Sequence, residues 1–310
     1  MRRIIVLLCI LILVLVGCQQ QADKTKLEGA FIGGIEGLSI AFMEGAPPTD
    51  VYDQGKFPFA INLQIENKGE WDINSTQTVV EITGIDPADF NNAALKKNVG
   101  QALFAKRNDL GTIIPGTIVT VPFEGLSYTK KIAGDSTFNI RAGVCYDYGT
   151  KATTKVCIKQ DMLGIGQTGC NVNEAKPVSN SGSPVAIQEV KESAIASNKL
   201  SLTFKIKHLG TGAIHKKGTA CSNEFENKDK VYLVVNSGVT PGPECSGLAD
   251  ANGNPVTASE GYVSLFNGER IITCSQQIAI PGNFEKYIDF TMQYDYSQYI
   301  DTQLVVKHVG

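Results

Sequence analysis

The chain has 310 residues, 43% of them hydrophobic and 19% charged, with a formal net charge of −3. That composition can build folded domains, about two at this length, and excludes the low-hydrophobicity, high-charge signature of disorder. The slight acidity offers no basic footprint for nucleic acid, and three histidines without a dense acidic cluster argue against a metal-dependent enzyme.

Arg2 and Arg3 precede an unbroken apolar run from Ile4 to Val16. A spanning helix needs about 20 residues. A run of 13 fits the apolar region of an export signal instead. It closes on Leu15-Val16-Gly17-Cys18, followed by Gln19-Gln20-Gln21. This resembles the lipobox of exported lipoproteins. The resemblance implies a signal peptide over 1–17, lipidation of Cys18 and a lipidated tether over 18–27. The expected location is extracytoplasmic, held to the cell membrane through the N-terminal lipid. Two chains on one residue anchor stably where one holds marginally.

Short runs rich in Val, Ile, Thr and aromatics follow, separated by turn residues. They predict an all-β chain. In the first half the strands are Leu38–Phe42, Phe57–Asn67, Thr78–Thr83, Ile118–Phe123, Thr137–Tyr148 and Thr153–Lys159, with a weaker one at Ala102–Lys106. In the second half they are Val185–Val190, Leu200–His208, Val231–Val235, Gly261–Phe266, Ile271–Ile278, Tyr287–Tyr296 and Thr302–His308. Between the halves, Ser179-Asn180-Ser181-Gly182-Ser183-Pro184 is a Gly/Ser/Pro punctuation mark. Asp86-Pro87-Ala88-Asp89 predicts a short helical insertion, with Asp86 as N-cap and Pro87 at the first helical position.

The halves repeat. A shift of 148 residues lays Tyr146-Asp147-Tyr148 on Tyr294-Asp295-Tyr296, and Ile140, Ala142 and Val144 on Ile288, Phe290 and Met292. Phe59, Ile61, Leu63 and Ile65 alternate with polar residues. So do Leu200, Leu202, Phe204 and Ile206. Period-two alternation gives each strand one buried and one wet face. Strict alternation without intervening helical patterns predicts two tandem immunoglobulin-like antiparallel β-sandwiches, over 28–162 and 184–310 with a linker at 163–183.

The stretches FPFAINLQIENKGEWDI (57–73) and LSLTFKIKHLGTGAI (200–214) resemble the second strand and turn of CARDB-type domains. These are immunoglobulin-like, adhesion-related modules of exported archaeal and bacterial proteins. The stretch from Gly37 to Gly69 and the segment CYDYGTKATTKVCI (145–158) are similar to exported archaeal proteins. The resemblance implies a surface or envelope module and brings no catalytic motif.

Six cysteines follow Cys18, an even number that reads as three disulfides in an exported chain. A hairpin turn centred on Lys151 would place Cys145 opposite Cys157 on the wet face of adjacent strands, and so predicts Cys145–Cys157. The remaining four cysteines allow three pairings. Cys170 is expected near the loop holding Cys221, which favours Cys170–Cys221 and leaves Cys245–Cys274.

Catalytic candidates are few. His208 and His308 end strands and His215 lies in a polar loop, without a nucleophile or carboxylate at motif spacing; all three read as surface residues. Asp147 and Asp295 are equivalent in the repeat but fall in separate predicted domains, which favours a structural role over paired acids. Asp250-Ala251-Asn252-Gly253-Asn254 has the flavour of a calcium loop, yet lacks the Gly and Glu an EF-hand requires, and reads as a turn. Asn74-Ser75-Thr76 makes Asn74 the acceptor for glycosylation, if the host modifies exported chains. The lone Trp71 reads as packing rather than a sugar platform. No metal ligand and no cofactor are expected. The function expected is non-enzymatic: structural or adhesive interaction with an envelope protein or glycan. The alternative is a solute- or glycan-binding lipoprotein.

Overall fold

The computed structural model describes residues 31–91, 93–107, 112–164, 169–278 and 282–309. The expected signal peptide, the lipidation site Cys18 and the tether lie outside the described residues.

The first half contains β1 (Leu38–Phe42), β2 (Asp50–Tyr52), β3 (Phe59–Asn67), β4 (Thr78–Thr83), β5 (Lys96–Asn98), β6 (Ile118–Leu126) and β7 (Ser136–Ile158). Then come β8 (Val178–Asn180), β9 (Val185–Ala196), β10 (Lys199–His208), β11 (Ala213–His215), β12 (Lys230–Asn236), β13 (Glu244–Ala249), β14 (Pro255–Ala258), β15 (Glu260–Ser264), β16 (Glu269–Gln277) and β17 (Phe284–Lys307). The fold is all-β and antiparallel in two sheets, except that β2 runs parallel to the end of β17. A three-stranded sheet has the order β1-β3-β6. A 14-stranded sheet has β5-β4-β7-β17-β12-β15-β13-β16-β10-β9 along its main path. Alternation decides which face is buried: Ile61, Leu63 and Ile65 of β3, and Leu200, Leu202, Phe204 and Ile206 of β10, join one core with residues of both sheets. The expected helical insertion is a single 3-10 turn, Pro87–Asp89, capped by the Asp86 carboxylate, which accepts from the Ala88 N–H at 2.9 Å.

The expected hairpin at Lys151 is not there. Thr137–Tyr148 and Thr153–Lys159 are parts of one 23-residue strand, β7, and the equivalent pair in the second half is the 24-residue β17. The two long strands pair with each other antiparallel, from Phe284 opposite Ile158 to Val306 opposite Ser136. Tyr146 faces Tyr296, Asp147 faces Asp295 and Tyr148 faces Tyr294, so the repeat is related by a pseudo-twofold axis through the two aspartates. Each long strand begins in its own half and ends in the other. β7 first pairs with β4, then with β8 (residues 152–154 against Val178–Asn180), which lies inside the stretch expected to be linker. β17 first pairs with β12, then with β2.

Local interactions pin both crossings. The backbone N–H of Cys157 donates to the buried Glu192 carboxylate of β9, and Lys176 sits 3.1 Å from the same group. At the far end of β17, Asp53 accepts from His308 Nδ1 at 2.7 Å and from the backbone N–H groups of Val309 and Ile132. Burial raises the Asp53 pKa, but those hydrogen bonds outweigh it and hold the group below the usual carboxylate range. Stability tied to Asp53 is therefore present above the ordinary carboxylate pKa and fades only in strong acid.

Continuity of β7 overturns two expected disulfides. Cys145 and Cys157 lie on one strand, where about 3.3 Å per residue separates them by about 40 Å. The bonds are Cys145–Cys221, Cys157–Cys170 and Cys245–Cys274. Cys170–Cys221 does not form because Cys170 lies beside the end of β7, while Cys221 reaches its middle. Cys245–Cys274 joins directly opposed residues of β13 and β16.

Exchanged strands make the halves one cooperative unit. With a protease site placed between Gly164 and Gly169, cut and reduced protein is expected to elute as a single species containing both halves. Separate elution of two folded fragments would contradict the exchange.

Candidate functional site

The central ladder presents two chemically different faces. Inward point Tyr146, Tyr148, Tyr294 and Tyr296, all at most 1% exposed. Their rings meet edge to face: Tyr146 with Tyr148 at 5.5 Å and with Tyr296 at 5.7 Å, and Tyr294 with Tyr296 at 6.2 Å. Such pairs each add about 0.5–1.5 kcal/mol beyond simple burial. Each phenol oxygen is partnered. The Leu38 N–H donates to Tyr146, and the Gly212 N–H to Tyr296. Tyr148 donates to Asn67 Oδ1, and Tyr294 shares a hydrogen bond with Thr150. Burial pushes all four phenols up, Tyr296 to about 12.

The outer face carries Asp147 and Asp295 directly opposite one another, which corrects the expectation that they stand apart in separate domains. Like charges in that position repel, and the protein treats the two acids differently. Asp295 is buried in a cradle of backbone N–H groups from the following loop: Gly218 at 2.9 Å, Thr219 at 2.8 Å and Cys221 at 3.4 Å. Ala220 and Cys221 have positive φ, which turns those amides toward the carboxylate. The Cys145–Cys221 bond staples the loop to β7 beside the pair. Among the described residues, Asp147 accepts from Gln77 Nε2, at 2.8 Å, and its other oxygen is buried without a hydrogen bond. Burial first, then the Asp295 charge, raises its pKa to about 6, and Lys217 pulls the other way.

Beside Asp147 lies a cleft of about 640 Å³, formed by both halves and lined by Trp71, Asp72, Asn74, Gln77, Lys151, Lys217 and Gln293 among others. Trp71 is held flat on β7 because residue 149 is glycine. A Cβ there would lie 2.6 Å from the ring. Trp71 thus both packs and lines a cleft. Lys217 Nζ donates to Gln293 Oε1 at 2.6 Å, and Lys151 Nζ stands 5.8 Å from the Trp71 ring centre. The sequon residue Asn74 is exposed at the cleft.

The histidines are not the free surface residues expected. His215 is 2% exposed and bridges the Ser222 carbonyl and the Ser297 hydroxyl. His208 shares a hydrogen bond with the Tyr296 phenol at 3.1 Å, and burial lowers its pKa. His308 is held by Asp53. Asp250 closes a turn by accepting from the Asn252 and Asn254 amides. Among the described residues, no three His, Cys, Asp or Glu side chains are grouped to hold a metal.

No family model and no curated protein matches the chain. Among solved structures, it is similar to a red sea bream transglutaminase at a TM-score of 0.16 and 10% identity, covering 89% of this chain and 32% of that one. It is also similar to a serine-rich repeat adhesion glycoprotein from Streptococcus agalactiae at a TM-score of 0.19 and 10% identity, covering 92% of this chain and all of that one. The chain spans about a third of the transglutaminase. Scores this low define neither a shared fold nor a function.

The Asp147 pKa gives a signed prediction. An acid whose pKa rises from 3.8 unfolded to about 6 folded favours folding most when protonated. Its contribution is full below about pH 4 and is lost as pH rises through 6. Asp147→Asn keeps an acceptor for Gln77 and removes the charge. After discounting for partial exposure, it should add about 1 kcal/mol at pH 7.5, or about 2–4 °C in melting temperature. No gain is expected at pH 4. An equal gain at both values would show that the Asp147 charge is not the cause.

Proposed function

We propose that the protein is a non-enzymatic binding module of the cell envelope, built from two immunoglobulin-like units that exchange their last strands and held to the membrane through a lipid on Cys18. The observation that carries this reading is the outer face of the central ladder: a two-sided cleft walled by residues of both halves. Asp295 is consumed by backbone amides, and the three histidines by structural hydrogen bonds. These four titratable groups are thus spent on architecture, and among the described residues Asp147 alone keeps a buried carboxylate oxygen without a hydrogen bond at the cleft. Three disulfides suit an oxidising, extracytoplasmic setting. The short apolar run ending at Cys18 supports the anchor.

Two measurements test the reading. Protein lacking residues 1–17 should bind intact envelope saturably and leave the bound component chemically unchanged by mass spectrometry. Covalent change in that component would point to an enzyme. In cells, Cys18→Ser should release the protein from the membrane fraction. Retention as firm as wild type would make the apolar run itself the anchor.

A further inference from the structure

The outer face of the large sheet carries a line of rings that the sequence scatters over nearly 200 positions. The strand registers place Gly149 opposite Gln293, Gln293 opposite Tyr232, and Tyr232 opposite Tyr262. These four residues form one row across β7, β17, β12 and β15, at about 4.8 Å per strand, or about 14 Å in all. Trp71 lies flat on the first of them. Tyr232 and Tyr262 meet edge to face at 5.0 Å at the other end. Between the rings stands the Lys217–Gln293 hydrogen bond. The Trp71 cleft and a second hollow of about 720 Å³ over the tyrosines share Lys217 in their walls and adjoin there as a two-part groove.

We infer that this groove binds a neutral, extended β-1,4-linked glycan. The inference deepens the proposed envelope-binding function and rests on it. Aromatic rings alternate here with carboxylate, amide and ammonium groups. A pyranose chain alternates in the same way, with apolar C–H faces for the rings and hydroxyls for the polar groups between them. Asp147 adds a carboxylate to the wall of the Trp71 cleft, an acceptor type that suits hydroxyl donors. The mixed walls exclude other ligand classes. Lys151, Lys217 and Arg107 are outnumbered by Glu70, Asp72, Asp147, Asp250 and Glu260, which disfavours a polyanion. The row crosses the middle of a sheet, so it offers no edge for a peptide to join as a strand. A row of rings laid across successive strands fits the extended ribbon of equatorially linked sugars better than the coil of an α-linked chain.

Trp71 is the only tryptophan in the chain, so intrinsic fluorescence reads one end of the groove directly. Titration of the purified protein with cellohexaose and with chitohexaose should give a saturable change in emission with at least one of them, and none with maltohexaose. Tyr262→Ala, at the opposite end, should raise the midpoint about tenfold, while loss of the Tyr232–Tyr262 pair lowers the melting temperature by only a few degrees. Gly149→Ala should shift the emission of Trp71 even without sugar, because the ring loses its seat. No saturable change with either β-linked sugar, or a Tyr262→Ala midpoint equal to wild type, would overturn the assignment. If envelope binding persists in that case, only the groove assignment fails. If envelope binding is absent as well, the binding-module reading fails with it.

Discussion

Everything in this structure depends on the pairing of β7 with β17. Two strands of equivalent sequence lie antiparallel and in register about a pseudo-twofold axis. The register is fixed by side-chain alternation. A slip of one residue in either strand would turn its two tyrosines out to solvent and bring its aspartate into the core. The price of that register is a pair of like charges on the axis. Its consequence is that neither half completes its own structure: β8 needs the end of β7, and β2 needs the end of β17.

The internal symmetry is broken where the candidate site lies. In the first half, Trp71 lies over Gly149. At the equivalent places in the second half, Gly212 presses against the backbone of Ser297. Large and small residues are swapped between the layers, and only one copy gains an aromatic platform. The aspartates diverge in the same way. Asp295 is saturated by loop amides, whereas Asp147 keeps an oxygen without a partner and a raised pKa. A repeat used only for architecture has no need for this divergence. It follows naturally if one side of the axis faces a ligand.

Much of this was legible in the sequence. Alternation in Phe59–Ile65 and Leu200–Ile206 placed those strands and their buried faces, and Asp86-Pro87 marked one of the two 3-10 turns. The repeat itself was visible at a shift of 148 residues. The turn at Lys151 was the misreading. Gly149, inside the stretch between the two expected strands, is glycine because Trp71 rests on it. A signal for continuity existed in the second half, where Ser297 to Thr302 contains no Gly, Pro or Asn. The disulfides followed the turn, so misplacing it misplaced Cys145 and Cys157. The groove was not legible, because its rings come from a loop, β12 and β15. Only the strand order, which the sequence does not state, brings them into one row.

The central claim is that β7 runs unbroken from one half into the other. Disulfide mapping of non-reduced protein by peptide mass spectrometry tests it most directly, because the cysteines report the path of that strand. The account predicts one linked peptide pair joining Cys145 to Cys221 and another joining Cys157 to Cys170. A Cys145–Cys157 peptide would mean that the strand folds back on itself, and the exchange, the axis and the groove would all have to be abandoned.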